Sequence, residues 1–219
     1  MARRLVAAGL AGDPETAYQH ALEARRLAAR VGLVRETAGI AAYQAGHWAD
    51  ALTELRAARR LTGRTSYLPM MADSERALGR ADRALALTSE TAAANLDRET
   101  QIELRIVESG IRRDQGLADA AVVTLQVPEL TDRRIRPWSA RLFYAYADAL
   151  LDAGRTEQAR AWFARSAAAD RDGQTDAEER FEALGEVMID DLEEDPDDEL
   201  GEDPGDEDLD AYPDDSAPA

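Results

Sequence analysis

The chain has 219 residues, 45% of them apolar, and no cysteine, so a sizeable core is available while disulfide frameworks, thiolate catalysis and cysteine-ligated zinc are excluded. The formal charge of −18 is unevenly placed: residues 186–219 hold 17 acids and no basic residue, which leaves 27 acids against 26 basic residues in 1–185. A nearly neutral body lacks the basic surface that nucleic-acid binding uses, and no run reaches the 18 apolar residues of a membrane span.

At the start, Arg3-Arg4 ahead of Leu5–Gly12 has the outline of a short signal peptide. The apolar run is brief for that role, and Gly12 falls in register with later glycines, so the segment reads as the first helix of a repeat. The next stretch, 35–63, sets the pattern: a helix-length segment, a turn at Gly46-His47, and a second helix-length segment. Glycines recur at 12, 46, 79, 116 and 154, spaced by 34, 33, 37 and 38 residues. Five residues after each stands an alanine (17, 51, 84, 121, 159), and seven before the last four stand Gly39, Ala72, Ser109 and Ala147. Twelve residues after each glycine come Ala24, Ala58, Thr91, Pro128 and Ser166. Small residues at fixed places let two antiparallel helices cross closely, and a glycine lets the chain reverse with positive φ. Leu55, Leu125 and Phe163, nine residues after their glycines, fill the gaps between. In this register the neighbour of Ala51 at Glu54 is expected to be more exposed.

The later units are uneven. The third carries Pro69 and Met70-Met71 in its first helix and a short second helix, and the fourth meets Pro128 where its second helix should continue. The fifth, 137–169, is regular. After a break at Asp170–Gly173, Thr175 or Asp176 can cap a further helix, with Phe181, Leu184, Val187, Met188 and Leu192 as its apolar stripe. From Asp190 onward acids and prolines dominate, the composition of a disordered segment.

The glycine spacing and the small-residue register resemble tetratricopeptide repeats, whose period is 34 residues. The resemblance covers about residues 1–169. It implies an all-α, right-handed superhelix (α-solenoid) of about five antiparallel helix pairs, with a covering helix from about 175. The domain is expected to span 1–189 and a disordered acidic tail 190–219. Function is then expected to be non-enzymatic: protein–protein or peptide binding on the concave face, in the cytoplasm. The alternative is a regulatory module similar to the helical-repeat domains of bacterial transcriptional regulators, acting through a partner. In such repeats the inner face is lined by the first helix of each pair. Carried over, the groove residues are Glu36, Ile40 and Tyr43, Asp73 and Arg76, Arg113, and Arg141, Tyr144 and Asp148. The lysine- and asparagine-based clamp of chaperone-binding members cannot be built, since there is no lysine and Asn95 stands alone among asparagines.

No catalytic constellation emerges. His20 and His47 lie outside metal-binding or nucleophile motifs, no phosphate-cradling glycine loop is present, and no cofactor is implied. Asp170, Asp172, Asp176 and Glu179 around Gly173 approach the spacing of a calcium loop, but Ala168 stands where the first ligand belongs. A glycine helix stop followed by an acidic helix start explains the same residues. The arginine clusters at 56, 59, 60 and 64 and at 133, 134 and 136 are expected to be solvated and salt-bridged rather than a nucleic-acid surface. An acidic tail beside Arg76, Arg113 and Arg141 is either a transient occupant of the groove or a solubilising appendage.

Overall fold

A computed structural model describes residues 13–89 and 96–193, with side chains as far as Gly185. The N-terminal twelve residues, including Gly12 and the signal-like run, lie outside the described residues, as do Thr91, Asn95 and 194–219. Ten α-helices follow one another and no strand occurs among the described residues. They are α1 (Pro14–Ala28), α2 (Gly32–Gln44), α3 (Trp48–Thr62), α4 (Leu68–Ala77), α5 (Ala81–Ser89), α6 (Arg98–Asp114), α7 (Ala118–Thr124), α8 (Ser139–Asp152), α9 (Thr156–Ala169) and α10 (Ala177–Glu193), with a 3₁₀ turn at Pro128–Leu130. The expected boundary at 190 thus falls inside α10.

The turns show why the glycines recur. Gly46, Gly79, Gly116 and Gly154 all have φ between 71° and 76°. At each, the glycine N–H donates three residues back and the next N–H donates five back: Gly46 to Tyr43 and His47 to Ala42, then Gly79 to Arg76 and Arg80 to Glu75, with the same pair repeated at Gly116 and Gly154. This left-handed cap satisfies the last helical carbonyls and reverses the chain in two residues.

Four full helix pairs result among the described residues: α2/α3, α4/α5, α6/α7 and α8/α9. Helix α1 packs on α2. Each second helix also packs on the next first helix (α3 on α4, α5 on α6, α7 on α8), α4 packs on α6 and α6 on α8, and α10 covers α9. The small-residue register forms the crossings: Ala51, Ala58, Ala72, Ala84, Ala121, Ala147, Ala159 and Ser166 are all fully buried. At Gly39 a Cβ would lie 2.6 Å from Leu55 Cδ2 and 3.1 Å from the Leu55 backbone nitrogen, so no larger residue fits without moving α3.

Two irregularities have local causes. Helix α4 has only 10 residues and opens with Pro69 in its first turn, where the missing N–H costs nothing. Helix α7 stops at Thr124 ahead of Pro128, whose ring cannot continue a helix.

The expectation for Glu54 is corrected. It is 1% exposed, and its carboxylate accepts from Arg25 of α1 at 2.7 Å and Arg35 of α2 at 2.6 Å. Glu75 of α4 is likewise buried, paired with Arg56 of α3 and with Arg80 at 3.4 Å. Burying a carboxylate is costly unless cations accompany it. Arginines from neighbouring elements do so here, and periodicity along α3 alone does not reveal them.

Candidate binding groove

The inner layer of first helices carries a ladder of polar contacts in step with the repeat. The residue three before a turn glycine reaches the next first helix, at the position six before the following glycine, two before it, or both. Tyr43 O–H donates to Asp73 Oδ2 at 2.6 Å. Arg76 donates to both oxygens of Asp114, at 2.6 and 3.0 Å, and to Asp73 of its own helix at 3.3 Å. Arg113 donates to Asp152 at 2.6 Å and Asp148 at 2.9 Å. Arg180 of α10 takes the other oxygen of Asp148 at 3.0 Å. The break in the pattern is instructive: where an aspartate would face Arg76 stands Gly110, and the guanidinium lies against it, 2.7 Å from where a Cβ would be.

Two clefts open along this face. The larger, about 710 Å³, is walled by α6, α8 and the 173–176 loop and includes Arg76, Gly110, Arg113, Arg141, Tyr144 and Asp148. The smaller, about 540 Å³, lies between α2, α4 and α6, with Ile40, Tyr43, Met70, Glu99, Glu103 and Val107 in its walls. Arg141 borders both and is bound to Glu103 Oε2 at 2.8 Å. Burial raises the Glu103 pKa, and the Arg141 charge offsets this only in part. Burial, with an added hydrogen bond to Asp176, pushes the Tyr144 hydroxyl up to about 12, and burial beside Asp73 raises Tyr43 as well. Both phenols stay protonated donors at neutral pH.

Of the residues expected in the groove, Ile40, Tyr43, Asp73, Arg76, Arg113, Arg141, Tyr144 and Asp148 come together in these clefts and their ladder. Glu36 does not line either cleft. It pairs with Arg64 at 3.2 Å. Sequence reasoning missed Gly110, Asp114, Asp152, Glu103 and Arg180. The signal for three of them was present: Asp114 and Asp152 follow Arg76 and Arg113 by 38 and 39 residues, about one repeat, and a glycine inside a helix marks a close approach.

The other candidates resolve as follows. His47 Nε2 lies 2.7 Å from Glu15 and its ring stacks on Tyr18 at 4.4 Å. His20 is exposed on α1. Asp170 accepts from the backbone N–H groups of Gln174 and Thr175 and from the Thr175 hydroxyl at 2.7–2.9 Å, so it caps the break. No group of three or more His, Cys, Asp or Glu side chains is arranged to hold a metal among the described residues. Arg56 and Arg64 are salt-bridged as expected. Arg133, Arg134 and Arg136 are exposed in the loop before α8 and make no side-chain ion pair among the described residues, which departs from the expectation. Nor is any helix among the described residues long and apolar enough to cross a membrane.

Paired helices, left-handed glycine turns at a repeat period and an inner layer of first helices define a TPR-like α-solenoid. In a comparison with solved structures the chain is similar to a thermophilic TPR protein of Thermus thermophilus, known from its crystal structure. The TM-score is 0.65 at 16% identity, covering 84% of this chain and 98% of that one. No protein-family model and no curated protein matches. At that identity the likeness speaks to the fold alone.

Proposed function

We propose that the protein is a non-enzymatic scaffold whose inner face binds an extended segment of a partner protein. The observation that carries this reading is the pair of clefts in file along the first helices, joined at Arg141. Both have the size of ligand sites, roughly 300–1,000 Å³. An extended segment could lay side chains into both, passing Arg141 where they meet.

The test uses the full chain as bait at low and high salt. Tyr43→Ala with Arg141→Glu alters the inner face, while Leu117→Glu with Val123→Glu alters exposed positions at the start of α7 and on it. A partner lost with the inner-face pair and kept with the outer pair, both folded by circular dichroism, supports the groove. A partner kept by the inner-face pair overturns it, and one held only at low salt and released by nuclease is a nucleic-acid contact instead.

A further inference from the structure

We infer that the smaller cleft is the anchoring subsite and that it selects a segment pairing an apolar side chain with a neighbouring arginine or lysine. The inference rests on the reading of the inner face as a peptide groove and gives that groove a ligand chemistry.

The cleft exists because the third repeat is irregular. Counting back from the turn glycines, α2, α6 and α8 begin 14, 18 and 15 residues earlier, but α4 begins only 11 residues before Gly79. One turn of inner helix is missing, and α2 and α4 do not pack together as α4 and α6 do. Ile40, Pro69, Met70 and Val107 form the apolar part of the lining of the space left. That lining suits an apolar side chain, and methionine adapts to its shape.

Charge sets the second half of the selection. The linings of the two clefts together hold three arginines, Arg76, Arg113 and Arg141, against six carboxylates: Asp97, Glu99, Glu103, Asp148, Asp176 and Glu179. All three guanidiniums are already ion-paired, two of them with a pair of aspartates each. An acidic ligand would have to displace these partners. Glu99, in contrast, is exposed at the rim of the smaller cleft with no ion pair among the described residues, one helical turn from Glu103 on α6. Glu103 is 17% exposed and has Arg141 as its one ion-pair partner there. A cation placed beside Glu99 meets a carboxylate with no ion pair among the described residues, next to the apolar part of the lining. The same balance disfavours the chain's own segment 194–219, with 13 acids and no basic residue, as an occupant of the groove.

Panning a random heptapeptide display library on the full chain tests this, followed by titration of the enriched peptides and methyl NMR mapping. The expected result is enrichment of an apolar residue beside arginine or lysine, with shifts at the Ile40, Met70 and Val107 methyls. Glu99→Lys should weaken the selected peptide about fivefold at low salt, less at high salt, whereas Asp82→Lys on α5 should leave it unchanged. Acidic or uncharged peptides that shift the same methyls would overturn the ligand chemistry and leave the groove standing. No enrichment, or shifts confined to outer helices, would bring down the groove reading and this inference together.

Discussion

Asp97 closes the first turn of α6. Its carboxylate accepts from Thr100 N–H at 2.8 Å and from the Thr100 hydroxyl at 2.9 Å, two hydrogen bonds that the ionised form makes best. The backbone bond from Thr100 is the main reason its pKa is lowered. A carboxyl whose folded pKa lies below its unfolded value stabilises the fold above the ordinary carboxylate range, and that contribution is lost as pH falls through the lowered folded value. Asp97→Ala should therefore cost about 1 kcal/mol at neutral pH. The gap between the two urea midpoints should close in acid, and a gap that is constant with pH would show that Asp97 acts by packing rather than as a charged cap. Glu54 teaches the opposite lesson at this scale. A glutamate at a position that looks exposed along α3 is buried because Arg25 and Arg35 arrive from two other helices.

The unit of construction at the scale of elements is the crossing of two helices at small residues. Ala51 sits in a cluster with Tyr18, Ala21, Ala38, Ala41 and Ala42, so it serves α1, α2 and α3 at once. Ala51→Leu should overpack this site at a cost of about 1–3 kcal/mol. Since Glu54 is buried, the proper control is Thr53, which is exposed on the same helix. Thr53→Leu should change stability by less than about 0.5 kcal/mol. Equal effects in thermal unfolding would mean that the crossing is not the tight point. The same scale explains the clefts. Regular repeats pack first helix on first helix, and the shortened α4 leaves the gap that the smaller cleft occupies.

The whole molecule is a linear array in which each unit leans on the next, and its C-terminal end is finished by α10. Ala177 is buried at the start of that helix, Phe181 lies under the Arg160 guanidinium at 4.2 Å, and Phe181 and Leu184 pack on the last core cluster. A chain ending at Glu193 should keep its circular dichroism and melt within about 3 °C of the full chain. One ending at Arg171 strips this cover and should melt about 5–10 °C lower, from the apolar area exposed and the size of the protein. If the chain ending at Glu193 also loses helicity, residues 194–219 belong to the folded unit.

What the sequence alone determined about this protein is what repeats locally. Turn glycines need positive φ and crossings need small side chains, so both leave a period in the chain, and with it the helix pairs. The apolar stripe after the last pair marks the covering helix, while the groove residues came only from the resemblance to tetratricopeptide repeats. The tertiary structure alone decided the pairings between units. Whether Glu54 is buried, that Arg76 rests on Gly110, that every groove arginine is already matched by a carboxylate and that a missing turn in α4 opens a cleft all depend on side chains a repeat or more apart. Those contacts depend on how far neighbouring helices are offset and tilted in the stack. Local periodicity sets the face a residue takes on its own helix, while its partner on the next helix is set by packing.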